Sequence, residues 1–319
     1  MDSAPEAGQI EDYIYQITAS PLFGGGKKEV CFAARAAGLF RSQDGGASWQ
    51  PAYASLNLPA SLPTLSVAVP QDDAQDLTVL TGVGGGILRS SDGGLTWENI
   101  PLPPPPPVVS ALVFSPNYAQ DGIVLAGSME DGVLFSYNRG RSFTSWNFGL
   151  LDLNILCLAV SPDFASDENL YVGTQSGIFR STNGGRAWRE VDLPFGFEAV
   201  ISLAISPGFK KNQTLFAGTE SKGLWRSVDG GKTWHSCASQ SLVDPINTIL
   251  LSPNYPDQGE ILVLHGTQLL HSTEDGKNWK AWQSRKIKQP VIAILAPRGF
   301  QPDAPALIGF EDGSILRLN

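Results

Sequence analysis

Apolar residues along this chain come in short runs separated by polar stretches rich in glycine and proline. One kind of run ends in Ser-Pro, as in "VVSALVFSP" (108–116), "ILCLAVSP" (155–162) and "VISLAISP" (200–207). After a polar loop comes a second run, "IVLAGS", "LYVGT" or "LFAGT", and then a third, "GVLFS", "GIFRS" or "GLWRS". A turn-forming box follows, and a last short run leaves from its closing aromatic residue. Runs of this length, bounded by turn formers, predict four antiparallel strands per unit with hairpin spacing.

The boxes set the period. "SQDGGASW" (42–49), "SSDGGLTW" (90–97), "STNGGRAW" (181–188) and "SVDGGKTW" (227–234) share one pattern, and the serines that open the boxes are Ser42, Ser90, Ser136, Ser181, Ser227 and Ser272. They recur every 45–48 residues. The tail "GSILRLN" (313–319) resembles the approach to a further box, which makes seven units. A period in the forties with four strands per unit predicts an all-β, seven-bladed propeller of four-stranded antiparallel blades. The chain is read as one propeller domain over 1–319, with repeats at about 13–55, 56–101, 102–150, 151–195, 196–241, 242–285 and 286–319. The seventh repeat stops before its fourth strand, so residues 1–12 are a tail or, around Gly8–Asp12, the strand that closes the ring.

Inside a box, an Asp or Asn side chain is expected to accept hydrogen bonds from amides of its own turn. The glycines take positive φ without a Cβ penalty. The reversed chain then returns a tryptophan to the core, where an indole buries roughly 150–250 Å². The structural positions are Asp44 and Trp49, Asp92 and Trp97, Asn138 and Phe143, Asn183 and Trp188, Asp229 and Trp234, and Glu274 and Trp279.

The pattern S-x-D-x-G-x-[ST]-W resembles the Asp-box, or bacterial neuraminidase repeat, and the resemblance runs from about residue 13 to 318. Departures are local: Asn138, Asn183 and Glu274 replace Asp, Phe143 replaces Trp, and Ala187 and Asn278 replace Ser or Thr. Among such proteins, size and blade number look like the photosystem II assembly and stability factor family, which implies a protein-binding scaffold. The sialidases that share the box carry an Arg-Ile-Pro motif, absent here, and the sortilin-type receptors carry larger propellers. The xyloglucan-cleaving hydrolases pair two propellers across an acidic cleft.

Composition narrows the partners. The 319 residues carry a net charge of −9, from 22 basic and 31 acidic side chains. Binding nucleic acid requires concentrated Lys and Arg to neutralise phosphate, so no nucleic acid partner is expected. The same sign disfavours an anionic membrane surface. No run approaches the roughly 20 apolar residues of a membrane span. The start "MDSAPEAGQIEDY" has neither a basic head nor an apolar run, so the expected location is cytoplasmic. Cys31, Cys157 and Cys237 are scattered and odd in number, which points to no disulfide framework and no metal site.

Candidate chemistry is sparse. The seven inner runs contain no charged residue, only polar ones such as Gln16, Ser66, Ser110, Ser202, Asn247 and Thr248. A channel walled this way lacks the paired carboxylates of glycoside hydrolysis. No nucleophile elbow, metal-ligand spacing or phosphate loop occurs, so no catalytic residue and no cofactor is assigned. Arg41, Arg89, Arg180, Arg226 and Arg317 repeat just before the box serine, which suggests bridging between blades. The loops joining strands two and three carry Glu130, Asp131, Glu220, Glu311 and Asp312, candidate contacts for a basic partner. The run "PLPPPPP" (101–107) reads as a stiff polyproline rod. Trp146, Trp225 and Trp282 fall at packing positions. The expected role is a non-catalytic protein-interaction scaffold, and the competing one is a carbohydrate-binding or hydrolytic propeller.

Overall fold

The structure, a computed structural model, describes residues 12–25, 29–72, 77–237, 242 and 245–318. It is a seven-bladed β-propeller. Six sheets have four antiparallel strands in sequential order, and the seventh has three among the described residues. The inner strands are Ile14–Ala19, Thr64–Ala68, Val108–Phe114, Ile155–Val160, Val200–Ile205, Ile246–Leu251 and Val291–Leu295. The first packs against both the second and the seventh, which closes the ring.

Burial follows from this stacking. Five of the seven second strands, such as Leu170–Thr174 and Leu215–Thr219, are buried at every position, and Cys31–Arg35 and Val124–Met129 at every position but the last, because both faces meet a neighbouring blade. That is why the second runs read as continuously apolar instead of alternating. Seven hydrophobic clusters result, one in every junction between adjacent blades. Phe135 and Val172 share the cluster of blades three and four, for example, and Ile14 and Leu307 that of blades one and seven.

Glycine in the second strand has a specific cause. A Cβ on Gly218 would lie 2.2 Å from Ser202 Oγ and 2.6 Å from the Ile246 carbonyl oxygen, so the next blade's inner strand occupies that space. Gly173 faces Val200 in the same way.

The helices are short, at Tyr118–Asp121, Phe164–Asp167 and Phe209–Asn212, each following a Ser-Pro turn and burying one aromatic ring. Among the described residues, no helix is long and apolar enough to cross a membrane. The expected closing strand around Gly8–Asp12 lies outside the described residues except for Asp12. Its carboxylate pairs with Arg35 and accepts the Ala37 amide at 2.9 Å.

Candidate functional site

The two faces of the disc differ in how they are built. On one face the boxes meet the loops joining strands one and two, as in Gly184 N–H to Glu168 O at 3.0 Å and Gly230 N–H to Gln213 O at 2.9 Å. On the other face, the loops joining strands two and three meet the blade-to-blade connections. Glu220 N–H bonds Ala199 O at 3.0 Å, and Gly266 N–H bonds Pro245 O at 2.8 Å.

The box side chains are engaged within their own turns. Asp92 accepts the Thr96 amide at 2.9 Å and the Thr96 hydroxyl at 2.6 Å, while Ser90 Oγ accepts the Gly94 amide at 2.8 Å. Asp44 and Asp229 repeat this arrangement. Asn138 and Asn183 accept the amide of the fourth residue on, at 3.0 Å in both. Glu274 is a methylene too long and instead accepts from the Asn278 side chain at 2.6 Å. Burial acts to raise the Asp92 and Asp229 carboxyls, but hydrogen bonds from Thr96 and Thr233, from the box serines and from turn amides outweigh it and hold both at about 2. The Ser48 hydroxyl and amide hold Asp44 lower still.

The box aromatics enter the junction with the preceding blade. Trp97 donates its indole N–H to Ala52 O at 2.9 Å, and Trp188 donates to Trp146 O at 2.8 Å. Trp49, Phe143, Trp234 and Trp279 join the corresponding clusters. The second box glycine permits this approach: Gly185 has φ +87, and a Cβ there would strike the Phe135 ring at 2.3 Å. Three of the repeated arginines cross to the next box. Arg89 Nε donates to Arg139 O at 2.9 Å, Arg226 pairs with Asp275, and Arg317 Nη1 donates to Asp44 O at 2.9 Å across the closure. Arg180 instead donates to Asn169 within its own blade at 2.8 Å. In blade six His271 stands in the arginine's place, 3.9 Å from Glu260.

Sequence reasoning missed the shape of the channel mouth. Every inner strand carries a β-bulge at the same place, skipping Tyr15, Leu65, Ser110, Leu156, Ile201, Asn247 and Ile292. A bulge re-aims its residue, and here five of the seven are apolar or aromatic. All but Ile292 line a cavity of about 320 Å³ at the loop face. Most polar groups of the wall are tied between blades: Gln16 Oε1 accepts the Val67 amide at 3.0 Å, Ser66 donates to Val109 O at 3.3 Å, and Ser110 donates to Ile155 O at 2.6 Å. Ser202 donates to Ile246 O likewise. Among the described residues, the cavity wall mixes apolar side chains with uncharged polar ones and carries no carboxylate.

The predicted acidic residues all lie on the loop face and are exposed, but on different blades: Glu130 and Asp131 on three, Glu220 on five, Glu311 and Asp312 on seven. An intervening blade separates each set from the next. The Ser314 hydroxyl and amide bond Asp312 and lower its carboxyl. The proline run does not continue as one rod. It bends at residues 103–105, and Leu102 packs into the junction of blades two and three. Trp282 is buried, and Trp146 and Trp225 are half-buried in blade junctions. Burial pushes the thiols of Cys31, Cys157 and Cys237 up to about 12, so none is a thiolate at neutral pH. Among the described residues, no three His, Cys, Asp or Glu side chains come together as a metal site.

A second feature of the loop face was not anticipated. At the rim of blade four, Ser176, Glu190, Asp192, Leu193 and Phe197 surround a cavity of about 380 Å³. Phe197 is 83% exposed, and Leu151, on the preceding connection, is 78% exposed. Asp152 holds this corner together by accepting the Ser176 amide at 2.9 Å. The only signal in the sequence was an apolar residue on each of two turn-rich connections, "NFGLLDLN" and "LPFGFEA".

No family model and no curated protein matches the chain. Solved structures do. The extracellular domain of a putative one-component system of B. thetaiotaomicron aligns over 98% of this chain and 39% of its own, with TM-score 0.71 and 16% identity. A GH74 xyloglucanase from Xanthomonas campestris aligns over 96% of this chain and 52% of its own, with TM-score 0.72 and 15% identity. This chain thus spans between two-fifths and about half of those neighbours. YCF48 bound to a D1 peptide aligns over 100% of this chain and 98% of its own, with TM-score 0.70 and 19% identity. At such identities the likeness is one of fold, a propeller shared by proteins of different activity.

Proposed function

We propose that this propeller is a non-catalytic scaffold that presents its loop face to a partner protein. The observation that carries the reading is the division of polar groups. Those of the boxes and of the channel wall are largely engaged in turns and blade junctions, whereas Glu130, Asp131, Glu220 and Glu311 project from loop tips. Surface of that kind contributes little to folding and is available for recognition. YCF48, similar over nearly its whole length, has been solved bound to a D1 peptide, which supports a protein-binding role. Cytoplasmic residence belongs to the same proposal, supported by three free cysteines.

The test is affinity purification from the source organism, comparing the wild-type chain with a Glu130→Lys/Glu220→Lys/Glu311→Lys variant. A stoichiometric partner captured by the wild type and lost by the variant is the expected result. Equal capture by both removes the acidic loops from the interface. No partner for either removes the scaffold reading.

One observation favours a second reading, a carbohydrate-binding or hydrolytic propeller. Glu190 and Asp192 stand two residues apart beside exposed Phe197, and GH74 enzymes share the fold. Release of reducing sugar from xyloglucan, abolished by Asp192→Asn, would establish it.

A further inference from the structure

The cavity at the rim of blade four does not end at the loop face. A second cavity, of about 530 Å³, adjoins it along the same outermost strand, and Glu190, Val191 and Asp192 line both. At its far end stand Arg180, Arg189 and Lys232, the last on the box of blade five. The two form one groove along the outer edge of blade four, anionic and apolar at the loop end and cationic at the box end.

We infer that this groove binds an extended segment of a protein partner. The segment carries an aromatic or branched aliphatic side chain next to Lys or Arg at one end, and Asp or Glu towards the other. This rests on the protein-interaction reading above and names the partner's chemistry. The floor is a two-residue edge strand, Arg189–Glu190, and the outer edge of a sheet is where an extended chain adds main-chain hydrogen bonds. Phe197 and Leu193 offer an apolar anchor point, with Leu151 on the adjacent connection. Charge complementarity fixes the direction of the segment, because carboxylates and guanidinium groups sit at opposite ends. A neutral glycan would leave that charge gradient unmatched and would find a single aromatic platform.

The experiment is selection of phage-displayed random dodecapeptides on the full-length chain, followed by fluorescence anisotropy with the labelled synthetic peptide of the strongest clone. Enriched peptides pair an apolar residue with Lys or Arg at one end and acidic residues at the other. Both Asp192→Lys and Phe197→Ser, at exposed positions, weaken binding about tenfold or more without changing the melting curve. A peptide with its Lys or Arg changed to Glu regains affinity for the Asp192→Lys chain. Failure to enrich any peptide overturns the inference, as does binding indifferent to both substitutions. Displacement of the peptide by a xyloglucan oligosaccharide also overturns it, and assigns the groove to glycan. Peptides that bind the groove variants normally but lose the Glu130→Lys/Glu220→Lys/Glu311→Lys chain reject the groove while leaving the scaffold reading intact.

Discussion

The box face and the loop face of this propeller are made from the same seven repeats, yet they obey different rules. On the box face equivalent positions do the same job: Ser42, Ser90 and Ser227 each accept the amide of the second box glycine at 2.8 Å. On the loop face equivalent tips diverge, from Gly84–Gly85 in blade two to Glu130–Asp131 in blade three and Glu311–Asp312 in blade seven. Repetition marks residues that hold blades together, and divergence marks residues that the frame does not require, the ones assigned above by proposal to a partner. Where a blade departs from the pattern on the box face, the geometry shows a weaker version of the same turn, as at Glu274.

The largest test of that division compares two glycines. At Gly218 a Cβ would meet Ser202 Oγ and the Ile246 carbonyl, whereas at Gly84, on the loop face, it would meet nothing within 4 Å. Gly218→Ala is expected to cost about 2–3 kcal/mol, the upper part of the roughly 1–3 kcal/mol usual for overpacking a filled site. Gly84→Ala is expected to be neutral or stabilising by up to about 1 kcal/mol, through lower entropy of the unfolded chain. Urea unfolding midpoints measure both. Equal losses at the two sites would dissolve the distinction between a blade junction and an open loop.

A smaller effect tests the boxes. Asp92→Ala removes an acceptor from amides and a hydroxyl of its turn, and about 1–2 kcal/mol is expected, as for loss of a comparable side-chain cap. The sign of its pH dependence follows from the lowered carboxyls. Asp92 and Asp229 titrate at about 2 in the folded protein, below the ordinary value near 4. Their contribution is therefore fully present above about pH 4 and is lost as pH falls towards 2. An Asp92→Asn/Asp229→Asn variant should show a shallower loss of stability over that window. An unchanged acid profile would mean that the box carboxylates do not couple to folding.

Much of this architecture was legible because a box is local. Its serine, aspartate and glycines lie within five residues of one another, so spacing alone implies the turn and the period implies the ring. The inter-blade role of Arg89, Arg226 and Arg317 was visible for the same reason, as part of one position repeated in five units, although Arg180 at that position bonds within its own blade. The bulges at Tyr15, Leu65 and Leu156 left no mark, since a skipped residue inside an apolar run does not alter the run. Nor did the rim groove, whose walls come from one outer strand, one turn around Gly196 and the box of the next blade. Acidic loop tips could be read from sequence; their wide separation round the disc could not, because spacing along the chain does not convert to distance across a ring.

The smallest expected effect sharpens the comparison most. Lysine at Glu130, Glu220 and Glu311 together should leave the unfolding free energy, measured in urea, within about 0.5 kcal/mol of wild type per site, the ordinary range for surface positions. All three are exposed, and they sit on different blades, so their substitutions should add without coupling. The same variant is expected to lose the partner. A triple change that is silent in stability and decisive in binding is what separates a recognition surface from a structural one. If the variant instead unfolds as readily as Gly218→Ala, the loop acids belong with the boxes, as parts of the frame.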